Sequence, residues 1–448
     1  MASPLDALPL ELVDEIIKPL CQYCTPVDFQ YRRYNQYASA EALLQLTRTC
    51  KLLSTVATPH LYHRPLTSRW WLLARTLVAR PDLALHVRSL LDNEKVRERP
   101  FAGREPPEAF PAEVLRRFPD SALARATDEE RDAIVDTRVP WQVQTSWCDS
   151  SETLDMLVSL CTAVREIDAR TRTFNTPNMF IWSAPGSLPE LKHLTLRHLS
   201  LGPSLSLNLL AQVATAAPNL TRVALYDLKQ DAGGPQIMPD MPNLVALSLW
   251  KAAVCPQSLE NLLAACPNLR SFAYLSAPIG AHEPVTRSKM ARALVRAAPN
   301  LTSLVLSLHP GGGVHLDAAD TAVPSLAGLP RLETLTLSLD CVLPAGVSTA
   351  APVLSLDPEL LVRLLPTSVH TLSLPWTGLN FKVLSPVLLR LASATPSRLP
   401  SLKFVYVTEM AKPLKTVAEE VAEVKAAFAA QGVEISIRNF VGRSWGRQ

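Results

Sequence analysis

The sequence is short of glycine, of charge and of long apolar runs. Only 15 of its 448 residues are glycine and 19% are charged. Proline stands at 38, well above a usual share of ~5%, whereas glycine lies below its usual ~7%. A flexible linker protein would raise both together, so these prolines are expected inside ordered, repeated structure. The net charge of +3 is too small for a nucleic-acid polyelectrolyte surface. No apolar stretch approaches the ~18 residues of a membrane span, and Met1 to Asp6 lacks the basic start of a secretory signal. Cys21, Cys24, Cys50, Cys148, Cys161, Cys255, Cys266 and Cys341 are therefore read as reduced, mostly buried thiols. The expectation is a soluble cytoplasmic or nuclear protein that binds neither nucleic acid nor membrane.

Chemical signatures are also missing. There is no Gly-x-Ser-x-Gly elbow, no Gly-x-x-x-x-Gly-Lys loop and no His-Glu-x-x-His helix. Pro310 to Gly313 lacks the lysine that phosphate binding needs. Cys21-x-x-Cys24 and His60-x-x-His63 offer four ligand types for zinc. The 35 residues between the pairs far exceed the dozen or so of a zinc finger. On that spacing Cys21 is taken as a buried thiol at a helix end. No catalytic residue, metal or cofactor is expected.

What the chain has is leucine, 74 residues of it, and a recurring phrase, Pro-x-Leu-x-x-Leu-x-Leu. It appears as LPELKHLTL from Leu188, APNLTRVAL from Ala217, MPNLVALSL from Met241 and CPNLRSFAY from Cys266. It returns from Ala298, Leu329 and Leu399, and with one residue inserted from Leu365. Looser forms precede it in AVREIDAR from Ala163 and HVRSLL from His86. The prolines at 189, 218, 242, 267, 299, 330, 366 and 400 are 24 to 36 residues apart. Each phrase predicts a turn and a short parallel strand. The intervals predict amphipathic helices, one with Leu207, Leu210, Val213 and Ala214 on a face, another with Leu259, Leu262 and Leu263. Proline stops each helix because it cannot continue one.

Helix, proline stop, strand and loop at this period resemble the leucine-rich repeats of the ribonuclease-inhibitor-like type. The resemblance implies an α/β solenoid, parallel strands on the concave side and helices on the convex side. Its ends need caps; Val417, Val421, Val424 and Phe428 align on a final helix that Gly432 ends before a last strand. Arg438, Arg443 and Arg447 form a basic tail. On the concave side the residues closing successive strands are Arg170, Arg197, Tyr226, Trp250 and Leu275, then Ser307, Ser338, Pro375 and Thr408. The first five are the candidate partner-binding residues, since Arg, Tyr and Trp are enriched in interface hot spots. Packing of Tyr226 and Trp250 across neighbouring strands is the alternative. Later strands are expected to show mainly small hydroxyls.

The N-terminus resembles an F-box in LPLELVDEI, LLQLTRTCKLLS and PHLYHRP, as in fungal proteins that join one to leucine-rich repeats. The resemblance implies an all-α domain docking a Skp-type adaptor and, through it, a cullin. Its adaptor-binding positions fall on Leu8, Pro9, Leu12, Ile16, Leu46, Cys50 and Leu53. One helix is expected from Glu41 to a stop before Pro59, with an enlarged loop over Gln22 to Ala40. The domains are then 1–65, F-box-like; 66–160, an early repeat plus a charged, Pro-rich helical insertion over 92–150; 161–412, the repeats; and 413–448, the cap and tail. The implied function is substrate recognition in an SCF-type ubiquitin ligase, the solenoid holding an unknown protein substrate. The alternative is a non-catalytic interaction scaffold whose helices serve as a cap or bind the adaptor outside a ligase.

Overall fold

The computed structural model describes residues 8–21, 23–25, 29–65, 70–91, 151–171, 185–198, 205–229, 237–276, 287–307, 325–338, 341, 357–376, 381–409 and 418–439. The expected insertion over 92–150 and tail residues Arg443 and Arg447 lie outside these. The fold is mixed α/β, with twelve helices and eleven parallel strands among the described residues. The chain divides into two compact units, 1–221 and 222–448.

The first unit begins with α1 (Leu10–Ile17), which passes through a 3₁₀ turn (Lys18–Leu20) at Pro19. Pro9 stands at the N-cap, and its carbonyl accepts from the backbone of Leu12 and Val13 at 3.1 and 3.2 Å. Next come α2 (Phe29–Thr49) and α3 (Lys51–His63). Three expectations are corrected here. Much of the anticipated loop over Gln22 to Ala40 is the first half of α2, missed because its Gln-, Tyr- and Arg-rich residues lack an apolar period. The single helix from Glu41 is broken at Cys50, whose extended backbone (φ −154°) caps α3. Pro59 does not stop α3; the helix runs through it to His63. Val13 and Ile17 pack with Leu43, Leu53, Val56 and Ala57 in the core that joins the three helices.

The helices α4 (Trp70–Ala79) and α5 (Pro81–Ala84) lead to β1 (Ser89–Leu91). After α6 (Ser151–Leu160) come β2 (Glu166–Thr171), β3 (His193–His198) and α7 (Leu207–Ala216). β1 pairs with β2 and β2 with β3, all parallel, so the two looser phrases are both strands. Arg64, its side chain 7% exposed, pairs with Glu166 at 3.0 Å, and Ser89 Oγ donates to the same carboxylate at 3.1 Å. The backbone of Arg88 donates to His63. The N-terminal helices are thus anchored to the first strands.

The second unit repeats one pattern. Its strands are β4 (Arg222–Tyr226), β5 (Ala246–Ala252), β6 (Ser271–Ser276) and β7 (Ser303–Ser307), then β8 (Thr334–Leu337), β9 (Thr371–Trp376), β10 (Phe404–Glu409) and β11 (Glu434–Asn439). Each pairs in parallel with the next in chain order. Between them run α8 (Pro256–Ala264), α9 (Arg287–Ala297), α10 (Leu360–Leu364), α11 (Phe381–Arg398) and α12 (Ala418–Ala430). Every phrase buries the same apolar positions: Met241, Leu244, Leu247 and Leu249 in one, Ala298, Leu301, Leu304 and Leu306 in another. The half-exposed positions between them alternate outward, as a pleated strand requires. At the C-terminal end Val424 and Phe428 are buried, and Gly432 at φ 70° closes α12 while Val433 N–H returns to Phe428 O at 3.0 Å.

A polar ladder accompanies the apolar one. Asn219 Nδ2 donates to Pro189 O at 2.9 Å, Asn268 Nδ2 to Pro242 O at 2.8 Å, and Asn300 Nδ2 to Pro267 O at 3.4 Å. The asparagine after one phrase's proline thereby satisfies the proline carbonyl of the preceding phrase.

Candidate functional site

Two surfaces and one cluster hold the residues singled out by sequence. The first surface is the outer side of α1. Val13 and Ile17 face inward at 2% exposure each, whereas Leu10, Leu12 and Ile16 are 52, 53 and 66% exposed, and Leu8 just before the helix 37%. Four large exposed side chains on nine residues leave α1 apolar on both faces, which a solitary surface helix does not need. Of the positions carried over from the F-box resemblance, Leu8, Pro9, Leu12, Ile16 and Cys50 are exposed and Leu46 is half-buried. Leu53 is corrected: at 8% exposure it belongs to the core and supports α3 from within. Leu10 was missed, although its spacing to neighbouring leucines was visible in the sequence.

The second surface is formed by outward strand positions. In the first unit Arg197 pairs with Asp168 at 2.9 Å; the side chain of Arg170 lies outside the described residues. In the second unit Tyr226 and Trp250 occupy paired positions of β4 and β5, their rings stacked at 5.5 Å and 8°. Packing across the strands is therefore real, yet both remain half-exposed. Each is followed by a left-handed non-glycine residue, Asp227 at φ 64° and Lys251 at φ 52°. Such backbone costs roughly 1–2 kcal/mol per residue; here it ends β4 directly after Tyr226 and accompanies a shift of register within β5 directly after Trp250. Leu275, Ser307 and Thr408 are half-buried, but Ser338 and Pro375 are buried, so those two do not face outward. The later strands, expected to show mainly small hydroxyls, also carry an aromatic pair. Phe404 and Tyr406 on β10 are 37 and 39% exposed, with rings 6.5 Å apart.

The cluster consists of the four residues that spacing had set aside. Cys21 follows the 3₁₀ turn, and Cys24 is carried on a turn in which the Cys24 and Thr25 amides both donate to Cys21 O. His60 and His63 lie on one face of the last turn of α3. The packing of α1 on α3 brings all four ligand atoms within 4.8 Å of one another. Burial alone would raise the Cys21 thiol, but hydrogen bonds with His60 and His63 outweigh it and hold it down, at about 5. Burial, and then the neighbouring Cys21, push Cys24 up to about 12. The hydrogen bond with Cys21 raises His60, and Asp14 adds to this against the opposing effect of burial. Elsewhere burial takes Cys161 and Cys266 up to about 12, the behaviour of inert core thiols.

No family model matches the chain, and no curated protein matches it in sequence. Among the described residues no helix is long and apolar enough to cross a membrane.

Proposed function

We propose that this chain is the substrate-recognition subunit of an SCF-type ubiquitin ligase. In this reading α1 to α3 are an F-box that docks a Skp-type adaptor and, through it, a cullin. The parallel strands and their helices are a leucine-rich-repeat solenoid that holds a protein substrate. The observation that carries the reading is the bare apolar stripe of Leu8, Leu10, Leu12 and Ile16 on a helix whose opposite side is already packed. A partner that covers it removes apolar area from water without unfolding anything. The chain would then act by proximity, presenting a bound protein to an enzyme carried by the other subunits.

A second reading rests on the Arg64–Glu166 pair and the Arg88–His63 backbone bond, which fasten the helices to β1 and β2. They suit a scaffold protein whose helices protect the first strand. The two readings separate on capture of the tagged full-length chain from cells. Recovery of adaptor and cullin together supports the ligase subunit; adaptor alone, or neither, supports the scaffold.

A further inference from the structure

We propose that Cys21, Cys24, His60 and His63 form a tetrahedral structural zinc site that clips the end of the first helical segment to the last turn of α3. The donor set is the first argument, since two thiols and two imidazoles are a familiar complement of structural zinc.

Distance is the second. Cys21 Sγ lies 3.5 Å from His63 Nδ1, and Cys24 Sγ lies 3.5 Å from His60 Nδ1 and 3.2 Å from His63 Nδ1. A tetrahedron with Zn–S of about 2.3 Å and Zn–N of about 2.0–2.1 Å has edges of about 3.3–3.8 Å between its ligand atoms. The three distances match those edges to about 0.3 Å. All four ligand atoms lie within 4.8 Å of one another, so small side-chain rotations bring the remaining edges to tetrahedral length.

The third argument is the outer shell. The nitrogen that His60 turns toward the thiols is Nδ1, and its other ring nitrogen, Nε2, is 2.8 Å from the carboxylate of Asp14 on α1. With the proton on Nε2, donated to Asp14, the Nδ1 lone pair is free to face a metal. A carboxylate behind a ligating histidine is the arrangement that orients and strengthens such ligands. Cys21 and His60 are buried and Cys24 and His63 half-buried, so the metal would be shielded yet reachable. Four protein ligands leave no open coordination position, which assigns the site to holding structure rather than to hydrolysis. A disulfide would occupy only the two cysteines and would not account for two imidazoles converging on them.

The proposal is independent of the ligase reading, and its test measures metal directly. The full-length chain, expressed with zinc in the medium and exchanged into chelator-free buffer, is assayed for metal by mass spectrometry. About one zinc per chain is expected, retained in Cys50→Ser and lost in Cys24→Ser and in His63→Ala. Replacement by Co²⁺ in the wild-type chain should give the visible bands of a tetrahedral, thiolate-ligated ion, and this measurement needs no variant to fold. Asp14→Ala keeps all four ligands and should weaken zinc binding about 10- to 100-fold in competition with a chromophoric chelator. A wild-type chain without zinc and without tetrahedral cobalt bands overturns the proposal. So does zinc that persists in the Cys24 and His63 variants.

Discussion

Replacing Leu12 and Ile16 together by alanine separates an outward docking stripe from a packed face. Both side chains are more than half exposed, at 53 and 66%, and alanine keeps the helix propensity of α1. Full burial of a Leu or Ile contributes about 1.5–3 kcal/mol, so covering the area still exposed contributes about 1–2 kcal/mol per side chain. The pair should therefore weaken adaptor binding by about 2–4 kcal/mol, or about 30- to 1,000-fold in Kd. Stability of the free chain should change by less than about 0.5 kcal/mol, as for surface substitutions. The contrasting variant is Ile17→Ala on the inner face, 2% exposed, which should cost about 2–5 kcal/mol of stability. Calorimetric titration with purified Skp-type adaptor gives the first quantity and urea denaturation the second. Adaptor affinity within about threefold of wild type would refute the docking role of the stripe. A stability loss in the double variant comparable to that of Ile17→Ala would refute its outward placement.

Tyr274 is 2% exposed and its hydroxyl donates to Ala252 O at 3.2 Å. Tyr274→Phe leaves that carbonyl without this donor and should cost about 1–2 kcal/mol in urea denaturation; an unchanged midpoint would show that the hydroxyl bond contributes nothing. The second concerns alkaline pH, because burial lifts Cys266 in the folded chain from an ordinary 9.0 to about 12. A group raised on folding contributes stability that is fully present below the unfolded value and is lost as pH rises toward the folded one. Between pH 8 and pH 10 the Cys266 contribution should fall by roughly 1 kcal/mol. Cys266→Ala should remove that part of the pH dependence whatever its effect at pH 8. Parallel denaturation series for the two proteins would contradict the burial argument if their losses over this interval were equal.

The strands were the most legible part of the sequence because burial recurs there at fixed offsets from a proline. Leu191, Leu194 and Leu196 after Pro189 have counterparts in Leu220, Val223 and Leu225 after Pro218, and all six are buried. A local pattern sufficed because each phrase meets the same environment on both sides. The asparagine ladder was written just as plainly, since asparagine follows proline at 219, 268 and 300. It passed unread because a lone turn asparagine suits many local bonds, and only the neighbouring phrase reveals its acceptor. The N-terminal helices were less legible. Residues in the first half of α2 carry little apolar periodicity, and Pro59 inside α3 defies the rule that helices stop at proline. A helix held by a core on one side tolerates the one hydrogen bond that proline removes.

The cysteine–histidine cluster shows where spacing arguments lose force. Zinc fingers place their ligand pairs a dozen or so residues apart because a small domain has little else to close the loop. Here 35 residues separate Cys24 from His60, and the extra closure entropy of the longer loop is only about 1 kcal/mol, since it grows with the logarithm of length. That cost is met by the packing of Val13 and Ile17 against Val56 and Ala57, which holds α1 on α3. The two pairs then converge because Cys21 follows the turn that ends α1 and His60 lies one helical turn beyond Val56. Sequence distance measures how hard a loop is to close when nothing else closes it. Once a hydrophobic core does so, the chemistry of the four side chains carries the information, and it was legible in Cys-x-x-Cys and His-x-x-His from the start.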